Sequence, residues 1–122
     1  MTLKECYDAL GANYEETLGR LCSERLVEKF ALKFPLDESF PMLERAIQEE
    51  NWEEAFRAAH TLKGVSLNLG FTKLYQASDE LTEALRGGKR LTDDSLQERT
   101  EKEYRRTVAL LREYENARQN MG

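Results

Sequence analysis

A single histidine, two cysteines and two prolines in 122 residues exclude several kinds of chemistry. One imidazole cannot supply the Glu-x-x-His pairs that a di-metal four-helix enzyme needs on two of its helices. Cys6 and Cys22 lack CxxC spacing; they predict reduced, mostly buried thiols rather than a disulfide framework. The N-terminal Met1-Thr2-Leu3-Lys4-Glu5-Cys6 has no apolar h-region, so no export signal is read there and a cytoplasmic location is expected. No apolar run approaches the ~18 residues of a membrane helix, so no membrane partner is expected. Basic residues are outnumbered 18 to 23 by acidic ones, and they form no cluster. Phosphate contacts supply most nucleic-acid affinity, so a nucleic-acid partner is not expected either. The chain has no Walker A motif, no glycine-rich nucleotide loop and no acidic cluster suited to Mg²⁺.

What remains is a helical pattern. Thr2-Leu3-Lys4-Glu5 is a capping box, followed by Leu3, Cys6, Tyr7 and Leu10 at helical spacing and then Gly11. Asn13 caps a second short turn through Tyr14 and Leu18. Ser23 opens a longer helix with Leu26, Val27, Phe30 and Phe34 inward, stopped or kinked at Pro35. Asp37 or Ser39 caps the next, with Phe40, Leu43, Ala46 and Ile47. Asn51-Trp52-Glu53-Glu54 opens a helix to about Leu69, with Gly70 placed to terminate it. Another runs from Thr72 to about Arg86 with Leu74, Ala77, Leu81 and Leu85 inward, ending at Gly87-Gly88. Thr92 or Asp93 starts a last helix through Leu96, Tyr104, Val108 and Leu111 that frays near Arg118. No window shows strand alternation, and the connections are short. The expected fold is all-α: an antiparallel up-and-down four-helix bundle over residues 23–118, with short helices over 1–22 packed on it.

One helix carries the chemistry. On a helical wheel, Trp52, Ala55, Ala59, Leu62, Ser66 and Leu69 share the arc that faces the bundle. His60 points away from it. Glu53, Phe56, Arg57, Lys63, Gly64 and Leu67 surround His60 on the outer face. Gly64 is costly there, since a mid-helix glycine loses ~1 kcal/mol relative to alanine. Its use is close approach by another molecule. Lys63, three residues after His60, can reach what the imidazole carries. The set reads as a surface nucleophile, His60, with open space and a cation beside it, and Phe56, Arg57 and Leu67 are candidate docking residues around it.

His60-Thr61-Leu62-Lys63-Gly64 followed by Asn68-Leu69-Gly70 resembles the signature of histidine-containing phosphotransfer (HPt) domains. The preceding Asn51-to-Ala59 segment and the helix after Gly70 are similar to that family as well. The resemblance covers roughly residues 23–118. It implies a histidine phosphocarrier of a two-component phosphorelay, not an enzyme with its own ATP site. His60 would exchange a phosphoryl group with aspartates of response-regulator receiver domains, and a hybrid histidine kinase is a further expected partner. Lys63 would offset the phosphoryl charge, and Gly64 would leave room for the receiver. No cofactor of the chain's own is expected, with Mg²⁺ supplied by the receiver, and the chain is expected to be a monomer. Some members carry a glutamine on the following helix that hydrogen-bonds the histidine region; the corresponding place is Thr82, so that contact is not expected. Two alternatives stay open: a non-phosphorylated helical adaptor, and the excised phosphorylation domain of a chemotaxis-type histidine kinase.

Overall fold

The computed structural model describes residues 1–121. Among them lie seven α-helices: α1 (Leu3–Leu10), α2 (Tyr14–Leu21), α3 (Glu24–Lys33), α4 (Ser39–Gln48), α5 (Trp52–Asn68), α6 (Thr72–Leu85) and α7 (Ser95–Met121), with a 3₁₀ turn over Phe34–Leu36. No strand occurs among the described residues. The bundle consists of α4, α5, α6 and α7, each packed on the next. The ring closes where Phe40 of α4 stacks on Tyr104 of α7 at 4.0 Å between centroids, flanked by the Arg105–Glu44 ion pair.

The helix boundaries follow from local chemistry. Thr2 accepts from the Glu5 N–H while the Glu5 carboxylate accepts from the Thr2 N–H, a complete capping box. Asn13, Ser23 and Asn51 each accept a hydrogen bond from a first-turn N–H of the helix they precede. Asp37 takes that role for α4, accepting from the Ser39 N–H at 2.9 Å. The last helix begins at Ser95, later than Thr92 or Asp93. The Asp93 carboxylate binds the Ser95 N–H and hydroxyl at 2.8 and 2.5 Å, which holds the preceding segment as a turn. That helix continues to Met121 instead of fraying near Arg118.

The three N-terminal helices lie against the bundle: α1 and α3 pack on α7, and α2 packs on α3. A continuous aromatic chain ties them in. Tyr14 meets Tyr7, Tyr7 meets Phe71, Phe71 meets Phe34, and Phe34 meets Tyr104, with centroids 5.6, 5.6, 5.2 and 5.7 Å apart. Two sequence expectations fail here. Leu26 and Phe30 are not inward; they are 38 and 40% exposed. The buried stripe is Val27 and Ala31 of α3 continued by Phe34 of the 3₁₀ turn, spaced i, i+4, i+7, which turns the other two side chains outward. Phe30 instead edges a groove of about 560 Å³ shared with Leu21, Phe34, Leu36 and Val65. The cysteines also divide. Cys6 is buried, but Cys22 is exposed, because it ends α2 in the left-handed conformation (φ 66°) outside any helix face.

Candidate functional site

The site is built on α5. Ala55, Ala59, Leu62 and Ser66 have essentially no exposed surface, and these small and branched side chains let α5 sit close against the bundle. That fixed stripe turns the opposite face outward, where His60, Gly64 and Leu67 are exposed. A Cβ added at Gly64 would meet no atom within 4 Å, so nothing in the fold requires glycine at this position. Leu67, 48% exposed, lies about two turns beyond His60.

The neighbouring helix supplies residues that sequence reasoning missed. Running antiparallel to α5, α6 brings two acidic residues, Asp79 and Glu83, to that edge, and Arg86 follows just past its C-terminus. Asp79 Oδ1 is 3.0 Å from Lys63 Nζ. Glu83 holds Arg86 by two bonds, from Nε at 3.0 Å and from the terminal nitrogen at 2.7 Å. The Arg86 guanidinium lies 5.3 Å from the centre of the Phe56 ring, and that ring is 6.0 Å from the imidazole of His60. Asp79, Glu83 and Arg86 follow i, i+4, i+7 spacing, the same period as the apolar stripe. That repeat was the available signal once α6 was paired with α5.

The electrostatics follow from these pairs. The Asp79 carboxylate accepts from the Lys63 ammonium and raises its pKa, with the fields of Asp79, Tyr75 and Glu83 adding to the effect against some loss of hydration. Glu83 is held below the usual carboxylate range, first by its hydrogen bond from Arg86, then by the fields of Arg86, Lys63 and His60, with burial acting in the opposite sense. The Lys63 ammonium, expected within reach of what the imidazole carries, is bound to Asp79, because α6 brings a carboxylate to that flank of α5.

The other expected residues fall as follows. Phe56 is half-buried between α5 and α6, touching both His60 and Arg86. Arg57 is exposed and drawn to Glu54, on the side of α5 away from Lys63. The structure thus groups Phe56, His60, Lys63 and Gly64 and leaves Arg57 at the margin. Thr82 is buried and its hydroxyl donates to the Ser78 carbonyl at 2.6 Å, so it makes no bond to His60.

The C-terminal end of α5 is anchored by the N-terminal helices. A helix ends with carbonyls that have no partner inside it. Here the Tyr7 hydroxyl donates to the Leu69 carbonyl and the Asn13 N–H to the Gly70 carbonyl, each at 2.8 Å. The Arg20 guanidinium donates to the carbonyls of Leu67 and Asn68 at 2.8 and 3.3 Å. Gly70 (φ 74°) turns the chain, and a Cβ there would collide with Thr17 Oγ1 and come within 2.7 Å of the Asn13 carbonyl oxygen.

Among the described residues, no three His, Cys, Asp or Glu side chains are gathered as a metal site, and no helix is long and apolar enough to cross a membrane. A family model described as Hpt domain matches residues 36–120, from the 3₁₀ turn to near the end of α7. No curated protein and no solved structure matches the chain significantly.

Proposed function

Since the chain belongs to the Hpt domain family, the phosphocarrier modules of phosphorelays, we propose that His60 is its phosphorylated residue and receiver-domain aspartates are its exchange partners. The observation that carries this reading is the outward placement of the chain's only histidine beside the open position of Gly64, within the matched span.

The chemistry is a reversible transfer between an acyl phosphate and a phosphoramidate. The lone pair of an unprotonated imidazole nitrogen forms the N–P bond as the receiver's O–P bond breaks, and the electron pair leaves on the receiver's carboxylate. The other ring nitrogen keeps its proton. In the return step a receiver carboxylate attacks phosphorus and the imidazole leaves. Phosphoryl transfer depends chiefly on positioning and charge neutralisation. The Mg²⁺ and the activated phosphate come with the receiver, and the carrier contributes an accessible nucleophile on a rigid helix. Phe56 lies beside the imidazole, with ring centroids 6.0 Å apart, and Leu67 offers an apolar contact near the open position at Gly64. Lys63 lies where its ammonium can exchange Asp79 for a phosphoryl group on His60. We read the chain as acting in the cytoplasm, where receivers operate.

The test is His60→Gln. Incubation with phosphorylated receivers should place acid-labile phosphate on the parent protein and none on the variant, with equal helix content by circular dichroism. Acid-labile phosphate on His60→Gln would overturn the assignment.

A further inference from the structure

The Lys63–Asp79 pair joins the residue one turn after His60 to a carboxylate on a different helix. An unphosphorylated site therefore already has its lysine engaged. A phosphoryl group carries about −1.5 to −2 charge near neutral pH against −1 for a carboxylate, so it is the stronger partner for the ammonium. Lys63 reaches Asp79 on α6 from α5, where His60 lies three residues before it, and its long flexible side chain is 23% exposed.

We propose that Asp79 is a positioning residue of the phosphotransfer site: it holds Lys63 in the unphosphorylated protein and competes with the phosphoryl group for it, so that this pair sets how long His60 retains its phosphoryl group. The inference rests on His60 being the carrier. Phosphorylation draws Lys63 away from Asp79 and leaves an unpaired carboxylate beside a new dianion. Both the broken pair and the added repulsion raise the energy of the phosphorylated state and favour passing the group on. A relay intermediate is served by this arrangement, because a phosphohistidine bound too well would not be surrendered. Glu83 does not substitute for Asp79, since both of its oxygens are taken by Arg86. Asp79 is also the residue of α6 that makes the direct bond to Lys63.

The experiment is a double-mutant cycle on phosphohistidine lifetime. Parent, Asp79→Asn, Lys63→Ala and the double variant are loaded with phosphoramidate, which needs no docked protein, and decay of the acid-labile phosphate is followed. Asp79→Asn keeps the side chain's shape and removes its charge. It should lengthen the lifetime about threefold, the order an exposed ion pair supplies. Lys63→Ala should shorten the lifetime without abolishing labelling. In the Lys63→Ala background, Asp79→Asn should have a smaller effect, because only direct repulsion is left to remove. A purely structural role for Asp79 would change melting temperature and leave the lifetimes equal. Equal or shortened lifetimes in Asp79→Asn, or the same gain with and without Lys63, would overturn the proposal. Failure to load the parent on His60 would instead count against the phosphocarrier reading itself.

Discussion

The middle of α5 and its C-terminal end contain glycines six residues apart, placed for opposite purposes. At Gly64 the backbone is helical and a side chain would point into open space. At Gly70 the backbone is left-handed and a side chain would strike Thr17 and the backbone of Asn13. The end of the helix is anchored by Tyr7, Asn13 and Arg20, and the middle of the outer face touches little beyond α6. A helix fastened along its buried stripe and at its terminus keeps its outer face in register with no packing demand on that face. Substitutions in the two regions should therefore separate cleanly into losses of folding and losses of exchange.

The sharpest break between the regions is Gly70→Ala. The left-handed conformation costs an alanine about 1–2 kcal/mol. The collision with Thr17 and Asn13 adds a further ~1–3 kcal/mol of overpacking. Together these should lower the melting temperature by on the order of 10 °C for a chain of this size. Thermal unfolding followed by circular dichroism measures it. Melting at the parent temperature would show that the turn is not held as described.

Gly64→Gln probes the other half. Glutamine is a better helix former than glycine by somewhat under ~1 kcal/mol, so the melting temperature should hold or rise slightly. Transfer from a phosphorylated receiver should fall at least ~10-fold, since a bulky side chain would stand at the centre of a small, transient interface. Labelling by phosphoramidate should change much less, because no protein must dock. Loss of folding in this variant would remove the distinction between the two glycines.

Much of this was legible in the sequence. Caps at Thr2, Asn13, Ser23 and Asn51, the terminating Gly11 and Gly70, and the inward stripe of α5 are local features, fixed by residues within a turn of one another. His60 could be placed outward from the same periodicity. The misreadings depend on what packs against what. Leu26 and Phe30 are as apolar as Val27 and Phe34, and only the angle at which α3 meets α7 decides which pair is covered. Asp79, Glu83 and Arg86 look like an ordinary solvated face until α6 is laid against α5. The anchoring of α5 by Tyr7, Asn13 and Arg20 spans dozens of residues in sequence and has no local signature.

The smallest expected effect tests that anchor directly. Tyr7→Phe keeps the ring that packs against Tyr14 and Phe71 and removes only the hydroxyl that donates to the Leu69 carbonyl. A buried acceptor left without its donor costs about 1–2 kcal/mol. The variant should thus melt a few degrees lower at neutral pH, with labelling of His60 by phosphoramidate unchanged. The phenol also has a pH signature. Burial is the main cause that pushes its pKa well above the ordinary tyrosine value of 10.0. The folded state then keeps a proton that the unfolded chain gives up, so stability is fully present below about pH 10 and declines as pH rises beyond it. Replacing the phenol removes that contribution, and the gap between parent and variant should narrow as pH is raised past 10. Burial likewise lifts the Cys6 thiol to about 11, so part of the alkaline decline should persist in the variant. A gap that stays constant from neutral to alkaline pH would show that Tyr7 is not the buried, donating phenol that holds the end of the α5 helix.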